Sequence, residues 1–471
     1  MTPGLLLRGG LVFDGKTFRA NDVLIADGRV AAVAPELRAS ADAEVVDLRG
    51  DLVIPGLVNA HYHSPDNLNT GRVAAAPLEL WSLGTVPSRP SLPDELRVAA
   101  LFGAAEMLRG GITGVVDMVR LPGVMTLEPF EAVADAYLAA GMRAAIAPVL
   151  TDLPVERTLP VAQWHDAPAD LGAVTASLDV VAELSARWRG RDGRLEVHVA
   201  PSGPQRCSDL LLERSVALAH RLGTQLHTHA LETRSQAEQA RLRWGVSLVK
   251  HLERIGALGP STVLAHLVWP DPEEIQAIVA SRSVVVHNPA SNATLGSGRA
   301  PIPELLAKGA VVALGTDAAT CNDGLSIFEA MKLMTILHRP GEADWQRWPT
   351  AVDALTAATR GGAAALGIAG GGAVAVGASA DLVVLDHDAS AFVPPNDLVH
   401  QAVMRAGADV VTRVYVGGRL VVDGGRVLTD DVPGVAAELC RLAAARPSGG
   451  APEGPLADAI TKMLRAERGR G

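Results

Sequence analysis

No basic block occurs anywhere in the 471 residues, and the net charge is −10. A nucleic-acid binder would carry such a block, so that class is excluded. Long apolar runs are also missing. Hydrophobic segments are broken by Gly, Pro or charge well short of the ~18 residues that a membrane helix needs. Met1 to Gly15 lacks the basic region and long apolar stretch of a secretory signal, so a cytoplasmic location with no membrane partner is expected. Cysteine is limited to Cys207, Cys321 and Cys440. Three widely spaced thiols make no disulfide framework and suit a reducing compartment. Lysine is scarcer than the length would suggest: Lys16, Lys250, Lys308, Lys332 and Lys462. What is present is apolar: 48% hydrophobic against 20% charged residues, enough for a large core. The length exceeds the roughly 250 residues of a bare eight-stranded barrel.

The first 55 residues read as short strands separated by Gly9-Gly10, Asp14-Gly15 and Asp27-Gly28, the last a strong hairpin signal. The same texture returns in Ala380–Leu385, Val411–Val416 and Leu420–Val422. Between these flanks, apolar runs alternate with amphipathic helical stretches, the pattern of repeated βα units. Eight strands are expected: Leu57–His63, Gly114–Met118, Arg143–Val149, Leu195–Ala200, Gln225–His229, Thr262–His266, Val284–His287 and Val311–Gly315. This α/β pattern predicts a (β/α)₈ barrel over residues 56–367. A small β-sandwich is expected from residues 1–55 and 368–430, and a helical tail from 431–471. A doubly wound open sheet is the weaker alternative, because no glycine-rich phosphate loop follows an early strand. Pro447 to Pro455 reads as a linker, and Ala457–Arg468 as a charged helix that either packs on a neighbouring subunit or frays.

A barrel places its chemistry at the C-terminal ends of its strands. The first expected strand ends in His61-Tyr62-His63, and side chains two apart on a strand share a face. The fifth runs into His227-Thr228-His229-Ala230-Leu231-Glu232, the sixth ends at His266, the seventh at His287 and the eighth at Gly315-Thr316-Asp317. His61, His63 and His229 offer neutral nitrogens and Asp317 an oxygen, a donor set suited to a catalytic zinc. Such an ion lowers the pKa of its water to about 7. Glu232 is placed to pass a proton, and His266 to stabilise charge developing on the substrate. Each residue also has a plain structural role open to it. His227 or His229 alone reads equally as a core histidine, and Asp317 as a helix N-cap. The conjunction at four strand ends is what favours a site.

The segment Val53-Ile54-Pro55-Gly56-Leu57-Val58-Asn59-Ala60-His61-Tyr62-His63 resembles the opening metal motif of the amidohydrolase superfamily. His229-Ala230-Leu231-Glu232-Thr233, His287-Asn288-Pro289-Ala290-Ser291-Asn292 and Leu314-Gly315-Thr316-Asp317 are similar to its cytosine-deaminase-like branch, which includes the triazine hydrolases. The resemblance implies one divalent metal ion, Zn2+ or in some members Fe2+, on His61, His63, His229 and Asp317. It further implies Glu232 as proton shuttle, His266 as the substrate-polarising group, and Asp317 as base as well as ligand. Two-metal members use a carboxylated lysine, commonly from the fourth strand, and Leu195–Ala200 holds none. A single ion is therefore expected.

The implied reaction is hydrolytic deamination of an amino-substituted nitrogen heterocycle (purine, pyrimidine, pterin or triazine type) with release of ammonia. Removal of chloride or an alkylamine from a triazine or pyrimidine is the alternative, and a non-catalytic scaffold a more distant one. Asn67, Trp81, Gln205, Arg206 and Asn292 are the expected ring contacts, Trp81 either stacking on the ring or anchoring its loop. Ser202 stands where nucleoside deaminases of the branch carry a histidine, which points away from an adenosylhomocysteine-like substrate. A homo-oligomer, dimer or tetramer, is expected.

Overall fold

Val-, Ile- and Leu-rich runs with no polar alternation form strands buried on both faces, as parallel barrel strands must be. In a computed structural model, which describes residues 4–85, 91–155, 159, 169–429, 432–446 and 453–468, eight such strands are present among the described residues. They are Leu57–His63, Ile112–Val119, Arg143–Leu150, the split pair Leu195–Val197 and Ala200–Pro201, Leu226–Ala230, Thr262–His266, Val284–His287 and Val311–Leu314. Neighbours pair in parallel from the first strand to the fourth and from the fifth to the eighth. Two links join these halves into a ring. A bridge runs from Val199 to Leu226, and the short strand Asp317–Ala318 pairs with Tyr62 and His63. The second link brings the eighth strand's carboxylate beside the first strand's histidines.

Helices follow most of the strands, and several start on side-chain caps. Ser208 accepts the Leu211 N–H at the head of Asp209–Leu222. Asp271 and Glu274 form a reciprocal capping box for Pro272–Ser281, and Ser326 caps Ile327–Ile336. Such caps satisfy N–H groups that the helix leaves free.

Both chain ends share one nine-stranded sheet. Its order is Arg426–Val427, Arg419–Asp423, Val411–Val416, Leu382–Leu385, Leu52–Pro55, Leu5–Phe13, Phe18–Ala26 and Arg29–Ala34, with Glu44–Asp47 beside Leu5–Phe13. It encloses a separate apolar cluster that includes Leu7, Val23, Val53, Leu382 and Tyr415. The Asp27-Gly28 hairpin has φ of 48° and 74°, as a type I′ turn requires. Gly9-Gly10 is not a turn. It lies inside the strand Leu5–Phe13, where the pairing shifts register between Leu7 and Gly10. Gly9 takes φ 73°, and its N–H reaches the Asp22 carboxylate at 2.7 Å. A bulge has the same glycine signature as a turn.

The terminal helix Pro455–Arg468 packs on its own chain, against the helix Leu78–Gly84 beside the barrel mouth. Ala457 and Ile460 are buried there. Residues 447–452 of the expected linker, and His165, lie outside the described residues.

Candidate metal centre and substrate pocket

At the C-terminal rim, Nε2 of His63 lies 3.3 Å and Nε2 of His61 3.6 Å from Oδ1 of Asp317. An ion with bonds of ~2.0–2.1 Å in tetrahedral geometry would hold its ligand atoms about 3.4 Å apart. Ligand atoms of His61, His63 and His229 lie within 4.8 Å of one another, as do those of His61, His266 and Asp317. Nε2 of His61 is buried with no hydrogen-bond partner. A buried ring nitrogen of this kind needs either a proton acceptor or an ion. These donors fit a divalent metal.

The far side of each ring is tied down. Nδ1 of His63 meets the Met118 carbonyl at 2.7 Å, Nδ1 of His229 meets the Ser202 carbonyl, and Nδ1 of His61 meets Nε2 of His227 at 3.1 Å. Burial holds the His61 imidazole well below its ordinary range and brings His229 down to about 3. Neutral rings of this kind are the ligating form. Burial opposes protonation of His63 too, but the hydrogen bond and charge of Asp317 outweigh it and raise its pKa.

Asp317 sits at φ 61°, strained for a non-glycine residue. Reciprocal bonds hold that turn: the Thr316 N–H donates to Oδ1 of Asn59 at 3.0 Å, and the Asn59 amide donates to the Thr316 hydroxyl at 2.7 Å. The Ser291 hydroxyl donates to Oδ2 of Asp317 at 2.6 Å. Burial works against its charge, yet the His63 bond and the surrounding imidazoles hold the carboxyl well below the usual range. Asp317 therefore remains a carboxylate and is not a helix N-cap: Ala318 holds that position for the short helix Ala319–Asn322, and Ser326 caps the next one, Ile327–Ile336.

Glu232 is fixed by the helix Arg234–Trp244. Thr233 caps that helix, and the Gln236 side chain accepts the Glu232 N–H at 2.8 Å. Burial pushes the Glu232 carboxyl up to about 7, despite the opposing His266 charge. Oε2 of Glu232 and Oδ2 of Asp317 each lie 3.8 Å from Nε2 of His266. Nδ1 of that ring is held at 2.9 Å by Oδ1 of Asn292. One carboxyl poised near neutrality, one locked as carboxylate and an imidazole between them form an acid–base set.

These groups open into a cavity of about 170 Å³. Gln205, Arg206 and Trp81 line it, as do His63, His229, Glu232, His266 and Asp317. Trp81 is only 9% exposed, and its indole N–H donates to the Thr320 carbonyl at 3.3 Å, so it is anchored by packing and still faces the pocket. Asn67 is not brought there: its amide bonds the Tyr62 hydroxyl and, at 2.8 Å, the Ala99 carbonyl. Asn292 lies behind His266. Sequence reasoning passed over Glu79 and Arg120, which line the pocket. Glu79 is buried, with Oε1 unpartnered. A second cavity of about 240 Å³ shares Leu78, Glu79 and Leu295 with the first and is closed by Leu464 of the terminal helix. Lys250 is remote from the site, paired on the surface with Glu253 at 2.6 Å.

The amidohydrolase family model matches residues 52–421. The chain belongs to the amidohydrolase family. It is 36% identical over 443 residues to the 5-methylthioadenosine/S-adenosylhomocysteine deaminase of Syntrophobacter fumaroxidans, covering 91% of this chain and 95% of that one. Among solved structures it is similar to a zinc-bound adenosine deaminase from Xanthomonas campestris, with TM-score 0.81, 27% identity, and 93% and 97% of the two chains covered. It also resembles the atrazine chlorohydrolase of Arthrobacter aurescens in complex with zinc, with TM-score 0.84, 25% identity, and 93% and 100% covered. Among described residues no helix of this amidohydrolase is long and apolar enough to cross a membrane. The similarity to a nucleoside deaminase along nearly the whole chain runs against the expectation drawn from Ser202.

Proposed function

We propose that this amidohydrolase is a metal-dependent deaminase of adenine nucleosides, converting the ring amino group and water into a ring carbonyl and ammonia. Its reading as one catalytic barrel (residues 56–367) carried by a β-sandwich of both chain ends belongs to the same proposal, as does a tail (431–471) that walls the pocket. The supporting observation is the acid–base pair: Glu232 poised near 7, with Asp317 held ionised on the other side of His266.

His61, His63, His229 and Asp317 would hold one divalent ion, zinc in our reading. When bound, that ion supplies Lewis acidity that makes water nucleophilic near pH 7. The chain's residues do the rest. Glu232 delivers a proton to the ring nitrogen next to the attacked carbon, which lets that carbon accept the nucleophile. Asp317 takes the remaining proton of the attacking water and passes it to the departing amine. His266, oriented by Asn292, steadies the oxygen added to the ring.

The two adjoining cavities favour a nucleoside over a bare ring. The base would occupy the cavity above His266, and the sugar would reach Glu79, whose buried, unpartnered oxygen calls for hydroxyl donors. The 5′ substituent would extend into the adjoining cavity. A panel assay tests this. Ammonia is expected from 5′-methylthioadenosine, S-adenosylhomocysteine or adenosine. Chloride released from a chlorotriazine, with no ammonia from any nucleoside, would establish the dechlorinating alternative that the 0.84 similarity keeps in view.

A further inference from the structure

Of the three histidines at the candidate centre, two have their Nδ1 atoms against backbone carbonyls, of Met118 and Ser202. A carbonyl only accepts, so each of those rings carries its proton on Nδ1 and leaves Nε2 free to ligate. His61 is different. Its Nδ1 faces another imidazole, Nε2 of His227 at 3.1 Å. A neutral imidazole has one donor and one acceptor nitrogen, so two arrangements fit this contact. If His61 donates, its Nε2 lone pair points at Asp317 and can bind an ion. If His227 donates, His61 carries its proton on Nε2 and cannot.

We infer that His227 is the positioning residue that sets the tautomer of His61, accepting at Nε2 so that the barrel's most deeply buried candidate ligand is ready for metal. The inference rests on the reading of His61 as a ligand. The two rings are placed for this exchange. His227 and His61 are both fully buried, and their ring planes lie 20° apart with centroids at 5.2 Å. As acceptor at Nε2, His227 must carry its proton on Nδ1, a buried atom with no hydrogen-bond partner among the described residues, a cost that metal binding at His61 would have to offset. The next ring inward is His198, at 6.3 Å between centroids, whose Nε2 lies 3.4 Å from the Leu366 carbonyl. His227 has no contact with the pocket, so it acts through His61 and is not a catalytic residue. Partners behind metal-bound histidines tune affinity in this way.

The test is zinc affinity of the full-length protein, by competition with a chromophoric chelator, alongside the Tm of the metal-free form. His227→Gln puts an acceptor oxygen where Nε2 sits, His227→Asn puts it at the Nδ1 position, and His227→Leu removes it. The Gln variant should stay within about threefold of the parent while Asn and Leu fall about 10- to 100-fold, as loss of such a partner does. The metal-free Tm of Gln and Asn should be alike, which separates positioning from packing. If the Leu variant does not fold, the Gln–Asn contrast decides. Equal zinc affinity in Gln and Asn overturns the inference while leaving the metal reading intact. A parent that takes up no zinc overturns both.

Discussion

Glu232 shows how one residue's surroundings assign its chemistry. A carboxyl near pKa 7 both gives and receives a proton at neutral pH, which a solvated glutamate cannot do well. Glu232→Gln keeps the shape and loses the proton transfer. We expect kcat to fall about 10²- to 10⁴-fold with bound zinc unchanged; loss of zinc as well would make Glu232 a ligand. The residues to which we assign this chemistry stand out in the sequence because each follows a strand's C-terminal end in a short, spaced motif, and the structure brings them together at one rim. Glu79 does not stand out. In Pro77-Leu78-Glu79-Leu80-Trp81 nothing local marks it off from a solvated loop residue, and its burial depends on how the helix Leu78–Gly84 lies over the barrel mouth. Asn67 and Asn292 were misjudged for a related reason. An amide serves a ligand or a neighbouring side chain equally well, and only packing tells which.

Between elements, the site depends on the eighth strand lying close against the first. Gly315 marks that approach: a Cβ there would sit 2.4 Å from Oδ1 of Asn288 and 3.0 Å from the backbone N of His61. Backbone cannot yield as a flexible side chain does. Gly315→Ala should therefore cost about 1–3 kcal/mol, the usual penalty of overpacking, and weaken zinc binding by displacing His61. Urea unfolding and chelator competition check the two effects, and an unperturbed variant on both would contradict the close packing. The barrel strands themselves were readable to within a residue or two, because fully buried Val and Ile runs bounded by turn residues have few alternatives. The Gly9-Gly10 bulge was read as a turn, since glycine reports a positive φ but not whether pairing resumes beyond it.

Across the whole molecule, buried histidines away from the site tie stability to pH. Burial brings His198 and His338 down to about 4, against ~6.5 in an unfolded chain. Between these values the unfolded state binds more protons, so the stabilisation is complete above about 6.5 and is lost as pH falls towards 4. The urea midpoint should be lower at pH 5 than at pH 7.5; an unchanged or higher midpoint would contradict these assignments. The chain's own terminal helix, meanwhile, covers the mouth region, something no local pattern in a charged amphipathic segment could reveal, because its partner lies some 380 residues earlier in the chain.

The central claim, that this amidohydrolase deaminates adenine nucleosides with a metal held on His61, His63, His229 and Asp317, is tested most directly by ammonia release from 5′-methylthioadenosine before chelation, after prolonged chelation, and after zinc is returned. Turnover should vanish with the metal and come back with zinc. Turnover that survives complete metal removal would contradict it.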